Sequence, residues 1–184
     1  DIGLRLTPQA AALLGAAIGA NTRRLYNELE KLKTYWANPQ TALPPEAVTA
    51  LVATSTQSSL QLAAALRQGN TDRALTLITE LLERNEPALR IVATLVGQFR
   101  TWLWVKLMTE TGERDTRIIA QSADVGNPKR VYFLQKETRD VSSVQLQKAL
   151  TLLLALEYSL KQGAPETVTL QTKVIELADC FKRG

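Results

Sequence analysis

Apolar residues recur along almost the whole chain at steps of three and four, the period of a helix buried on one face. Thr7 and Pro8 mark the first start, a capping hydroxyl followed by a proline whose missing N–H is harmless in a first turn. Leu13, Leu14, Ala17 and Ile18 then fall on one face. The pattern predicts a tight break at Gly19, a cap at Asn21 or Thr22, and a second helix with Leu25, Leu29, Leu32 and Trp36 inward. Glu28 with Lys31 and Glu30 with Lys33 are pairs three apart that suit a solvated outer face.

Asn38 to Pro45 is rich in turn residues and precedes a short helix carrying Val48, Leu51 and Val52. The small polar run Ala53 to Ser59 is the best candidate for a domain boundary, giving domains 1–53 and 54–184. Beyond it, Leu60, Leu62, Ala63 and Leu66 predict a short helix ending at Gly69. Asn70 or Thr71 caps a helix whose stripe is Ala74, Leu75, Ile78, Leu81 and Leu82. The longest helix is predicted from about Pro87 to Thr109, centred on Val92, Leu95, Val96, Phe99, Leu103 and Leu107. Trp102 is placed on its flank, and Trp104 lies roughly 110° from the centre line, under another helix or open to a partner.

Two helices, Arg114 to Ala123 and Asn127 to Arg139, follow across Asp124-Val125-Gly126. Ser142 with Gln145 three residues on has the form of a capping box, and Leu146, Leu150, Leu153, Leu156 and Leu160 continue until Gly163. Pro165-Glu166 opens a last helix with Leu170, Val174, Leu177 and Phe181 inward. No run alternates as a half-buried strand would, and no fixed-period repeat is present. The expected fold is all-α: a small three-helix domain followed by a bundle of about seven helices.

Composition narrows the function classes. At 45% hydrophobic and 22% charged, the 184 residues have the make-up of a folded globular chain. The net charge of +4 permits contact with nucleic acid or acidic partners without demanding it. No apolar run approaches the roughly 20 residues that span a bilayer, so no membrane role is expected. One cysteine, Cys180, rules out an intramolecular disulfide, and a reducing, cytoplasmic setting is expected. The absence of histidine removes Ser-His-Asp and Cys-His catalysis and the usual zinc and haem ligands. No phosphate-loop motif occurs. Glu28 with Glu30, and Glu80 with Glu83, have charged neighbours and read as solvated surface rather than acid–base pairs, and Cys180 reads as a buried small hydrophobe. No catalytic residue, metal or cofactor is expected.

The helix pair around Gly126 admits a DNA-binding reading. Ile118, Ile119, Ala120, Val125 and Val131 have helix-turn-helix spacing, and Lys129, Arg130, Lys136 and Arg139 would then meet phosphate. Against it stand the acidic neighbours Glu137 and Asp140 and the leucine pattern of a packed bundle on either side. Tyr132, Phe133 and Trp104 are the aromatic candidates for a protein interface, with core packing the favoured role for Phe133.

The string G-x-N-x-R-x-L-x-N-E-L-E-K-L from Gly19 to Leu32 resembles the second domain of the bacterial DNA polymerase III delta subunit, the clamp-opening member of the replicative clamp loader. Leu60–Leu82 is similar to the opening of that family's third, collar domain. Glu86 to Leu89, Gln98 to Arg100 and Val105 to Leu107 resemble its long helix; Ile119-Ala120 with Val125, Pro128 and Val131 its next helix pair; and Leu152 to Lys161 its penultimate helix. Five motifs in order carry the resemblance over essentially the whole chain. Ser55 to Ser59 departs from it, being more polar than the family's usual Phe-x-Leu opening.

The resemblance implies a non-catalytic module with a lid-like domain and a collar domain. Its partners would be the delta-prime and tau/gamma subunits, with primed DNA inside the assembly. The family's first domain, which carries the clamp-binding element, has no counterpart here, and the chain opens Asp-Ile-Gly, so a piece of a longer protein is expected. Arg23 and Arg24 fall where related ATPase lids carry a nucleotide-facing arginine, and are either interface arginines touching a neighbouring subunit or plain surface cations.

Overall fold

The computed structural model describes residues 3–18, 22–36, 41–48 and 54–182. Among them are ten helices: α1 (Pro8–Ile18), α2 (Thr22–Tyr35), α3 (Pro45–Val48), α4 (Thr54–Arg67), α5 (Thr71–Glu83), α6 (Ala88–Glu110), α7 (Thr116–Ser122), α8 (Arg130–Glu137), α9 (Ser143–Lys161) and α10 (Glu166–Asp179). The fold is all-α. The chain divides into two compact units, Asp1–Gln57 and Ser58–Gly184, and the division falls inside α4. The expected linker is therefore helical from Thr54 onward, because serine and threonine lower helix propensity only slightly and Ser59 is itself buried.

In the first unit, the Thr7 hydroxyl accepts the Ala10 N–H at 3.2 Å and caps α1. Ala10, Leu14, Leu32, Leu43 and Val48 form a small core, with Leu4, Leu6, Leu25, Leu29 and Trp36 packed on it. An isolated parallel bridge joins Leu6 to Leu43. The Trp36 indole closes the unit by donating to the Thr41 carbonyl at 3.1 Å. Two expectations need correction. Leu13 points outward, because Ala10 and Leu14 at i and i+4 take the inner face. Glu28 is buried, at 7% exposure, although it keeps its ion pair with Lys31 at 3.3 Å. The expected break at Gly19 and cap at Asn21 lie outside the described residues, as do Leu51 and Val52.

In the second unit, α6 makes its most extensive contact with α9, and α7 and α8 pack against α6, while α10 packs against α5 and α9. Ala88, Ile91, Val92, Leu95, Phe99, Trp102 and Val105 form the buried line of α6. The inner face thus runs through Trp102, only 2% exposed, and not through Leu103 and Leu107. Phe99 sits at the centre, edge-on to Trp102 at 5.1 Å and tilted against Phe181 at 5.8 Å, so the chain two residues beyond α10 is tied to the middle of α6.

The helix ends follow from local chemistry. Asn70 caps α5 by accepting the Arg73 N–H at 3.0 Å, and Asp115 caps α7 by accepting the Arg117 N–H at 2.8 Å. Ser142 and Gln145 form the expected reciprocal capping box at the start of α9. Gly69 stops α4 with φ +69, and a Cβ there would lie 3.1 Å from the Lys182 backbone nitrogen. Asp124 rather than Gly126 carries the left-handed residue after α7, a conformation that a short carboxamide or carboxylate side chain tolerates. Among the described residues no helix is long and apolar enough to cross a membrane.

Candidate interaction surface

The second unit presents large apolar side chains on several outer faces. On α8 the helical period turns Val131 and Leu134 into the bundle. Lys129, Tyr132, Phe133 and Lys136 then fall within an arc of about 100° on the opposite side. Tyr132 is 56% and Phe133 61% exposed, so Phe133 is not a core residue. A helix of eight residues buries one narrow stripe, and Val131 with Leu134 already fills it. The two rings meet edge to face at 5.5 Å, and the Lys136 ammonium lies 5.1 Å from the Tyr132 ring centre. The patch is therefore aromatic with a cationic rim.

The candidate cations do not all converge there. Arg130 projects to the other side, into a shallow cleft of about 200 Å³ that it shares with Arg67, Trp102 and Glu137. Arg139 lies beyond the C-cap Thr138, exposed and outside the helix that was expected to carry it. Trp104 is 44% exposed on α6, two residues from the buried Trp102 and so on nearly the opposite face. On α9, Leu154 and Tyr158 are exposed four residues apart and share a face. Arg23 and Arg24 belong to the first turn of α2, and their side chains lie outside the described residues.

Side chains from α4 and α6 hold the C-terminal end of α8, which orients the patch. Arg67 Nη1 donates to the Glu137 carbonyl, Lys106 Nζ donates to the Thr138 carbonyl at 3.2 Å, and Trp102 Nε1 donates to Glu137 Oε2 at 2.6 Å. Cations on these terminal carbonyls satisfy groups that have no partner within the helix and complement its dipole. The Arg67 guanidinium lies over Trp102, 5.4 Å from the ring centre. Burial pushes its pKa down, while the nearby charges of Glu137 and Asp140 pull it back up. None of these partners is near in sequence, and no local signal in the sequence singled out Arg67, Lys106 or Glu137.

Cys180 is half-buried, not fully enclosed, and its Sγ donates to the Glu176 carbonyl at 3.3 Å. Loss of solvation raises its pKa above the ordinary thiol value. Among the described residues, no group of three or more Cys, Asp or Glu side chains could hold a metal ion.

Residues 56–176 match the family model of the DNA polymerase III delta subunit, C-terminal domain. The chain is 26% identical over 156 residues to the DNA polymerase III subunit delta of Bacillus subtilis (strain 168), covering 84% of this chain and 44% of that protein. The solved structure of the Bacillus subtilis DNA clamp loader delta protein is similar in fold, with a TM-score of 0.61 at 23% identity over 96% of this chain and 52% of that chain. The chain thus spans about half the length of these relatives.

Proposed function

The chain belongs to the DNA polymerase III delta subunit family through that subunit's C-terminal domain, and from this we propose that it is an assembly module of a clamp loader. The observation that carries the reading is the coincidence of the family match with the helical bundle of the second unit, which leaves Trp104, Tyr132, Phe133, Leu154 and Tyr158 on its outside. Large apolar side chains on outer helix faces are what a partner helix would cover. In this reading residues 54–184 are the collar domain, associating side by side with the collars of delta-prime and tau/gamma subunits. Residues 1–53 are a lid-like domain, with Arg23 and Arg24 as its interface cations. The family's first domain would engage the sliding clamp. The module is non-catalytic and cytoplasmic: nucleotide bound by partners would shift the assembly, and this chain would transmit the shift through its contacts.

DNA contact is a second role within the same assembly, favoured by the aromatic patch with Lys129 and Lys136 at its rim. Arg130 is a weaker candidate, since it lines the cleft beside Arg67 and Trp102, and so is Arg139, which lies beyond the end of α8. A stand-alone helix-turn-helix reader is disfavoured. Its recognition helix needs several polar side chains along the outer face to reach base edges, and α8 offers two turns with two aromatic rings at their centre.

Size-exclusion chromatography of the chain with purified delta-prime and tau/gamma subunits, with no clamp or DNA present, tests the assembly role. A defined complex is expected. Separate elution of a well-folded chain would refute the role.

A further inference from the structure

Helix α9 carries two seams. The inner one, Leu146, Ala149, Leu153, Leu156 and Leu160, is buried and steps by three and four residues. A second line runs roughly 150° away around the helix, through Val144, Gln147, Thr151, Leu154, Tyr158 and Lys161. Its steps are three, four, three, four and three, and all six residues are exposed. Val144 is 69% exposed, and Leu154 and Tyr158 are 66% exposed. At 1.5 Å per residue the line is about 26 Å long. Other outer faces offer nothing so continuous. Helix α8 has only eight residues, and on α6 the line through Trp104 is broken by Arg100, which pairs with Asp124 at 3.7 Å.

The spacing selects what can cover the line. Positions alternating at three and four stay in register with a second helix over several turns, crossing at about +20°, whereas an extended peptide repeats every two residues. The C-terminal half is apolar, since Leu154 and Tyr158 are flanked by the exposed Ala155. Gln147 and Thr151 make the N-terminal half polar, and polar residues in a helical seam fix register at a cost in stability. No carboxylate lies on the line. Lys161, at its end, is paired inside the helix with Glu157 at 2.5 Å. Lys148 is exposed on the flank beside Gln147, so the charge that the seam presents to a neighbour is positive.

We propose that the outer seam of α9 is the face on which a neighbouring clamp-loader subunit docks, through an amphipathic helix that carries an acidic residue beside its apolar stripe. Leu154 and Tyr158 are the anchors of the contact, Gln147 and Thr151 set its register, and the acidic residue meets Lys148 at the rim. The proposal rests on the assembly role above and adds to it one face among several and the chemistry of the partner.

Sedimentation velocity of the whole chain titrated with purified delta-prime and tau/gamma subunits tests the assignment. Tyr158→Gln should weaken association roughly tenfold or more, as loss of an aromatic anchor predicts, and Leu154→Glu should do so at least as strongly. Both positions are exposed, so the melting temperature should stay unchanged; if one variant misfolds, the other decides. Lys148→Glu should weaken association about threefold at 0.05 M salt and less at 0.5 M. Ile118→Gln, an exposed apolar position on α7, should leave association unchanged. Normal association of Tyr158→Gln and Leu154→Glu, or an equal loss in Ile118→Gln, overturns the proposal and leaves the assembly role standing. Failure of the unaltered chain to associate refutes both. A Tyr158→Gln variant that assembles normally but loses binding to a fluorescein-labelled single-stranded oligonucleotide overturns the proposal in favour of a nucleic-acid surface.

Discussion

Replacing Trp102 with phenylalanine tests whether α8 is held from α6 as described. The substitution keeps an aromatic ring beside Phe99 but removes the indole N–H that donates to Glu137 Oε2 at 2.6 Å. A hydrogen bond to an ionised acceptor contributes about 1.5–3 kcal/mol, and the half-buried position of Glu137 puts this one near the lower end. The smaller ring gives up roughly 40 Å² of buried apolar area, about 1 kcal/mol. The guanidinium of Arg67 also loses part of the ring it lies on, at a cost of a few tenths of a kcal/mol. The expected loss is about 3 kcal/mol, or roughly 10 °C in melting temperature for a unit of this size. Urea unfolding followed by circular dichroism measures it without relying on the fluorescence of the residue being changed. A double-mutant cycle with Glu137→Ala should give a coupling of about 1–2 kcal/mol. A coupling below about 0.3 kcal/mol would refute the Trp102–Glu137 bond as a determinant of α8 position.

Other substitutions probe the local devices. Gly69→Ala should destabilise the second unit by about 2 kcal/mol in the same unfolding assay, because φ +69 is strained for alanine and its Cβ would press on the Lys182 backbone. Ser142→Ala removes the acceptor for the Gln145 N–H and should cost about 1 kcal/mol. Cys180 should react with iodoacetamide more slowly than a small-molecule thiol at pH 8, since its raised pKa leaves less thiolate. The linked effect on stability has a definite sign: with the folded pKa above the unfolded one, the contribution is intact below the ordinary thiol pKa and is lost as pH rises through the folded value. Cys180→Ser should flatten that alkaline decline.

The helices were legible because their signals are local: the period of leucines in α5, α9 and α10, the Ser142–Gln145 box, and glycines at helix ends. Which face of a helix turns inward was less legible when apolar residues are adjacent. Trp102 and Leu103 are one residue and 100° apart, and hydrophobicity does not rank them; contact with Phe99 and Glu137 does. The favoured core role of Phe133 fails for a related reason, since two turns of helix leave too few positions to fix a period. The run Ala53 to Ser59 reads as a linker by composition, yet the backbone is helical from Thr54, and Ser59, Leu62 and Leu66 are buried. Of the candidate surface, Tyr132 and Trp104 were visible in the sequence as aromatics off the buried line. Arg67 was not, because its role rests on Glu137, seventy residues away.

The central claim is that this chain assembles with clamp-loader subunits through apolar helix faces. Sedimentation velocity of an equimolar mixture with delta-prime and tau/gamma subunits, at 0.05 and 0.5 M salt, tests it most directly. Apolar burial is insensitive to screening, whereas attraction between exposed charges fades over a Debye length that shrinks severalfold across that range. The account predicts one faster-sedimenting species of fixed stoichiometry that persists at high salt. Independent sedimentation of the components at both concentrations, or a complex that dissolves at 0.5 M, would contradict it.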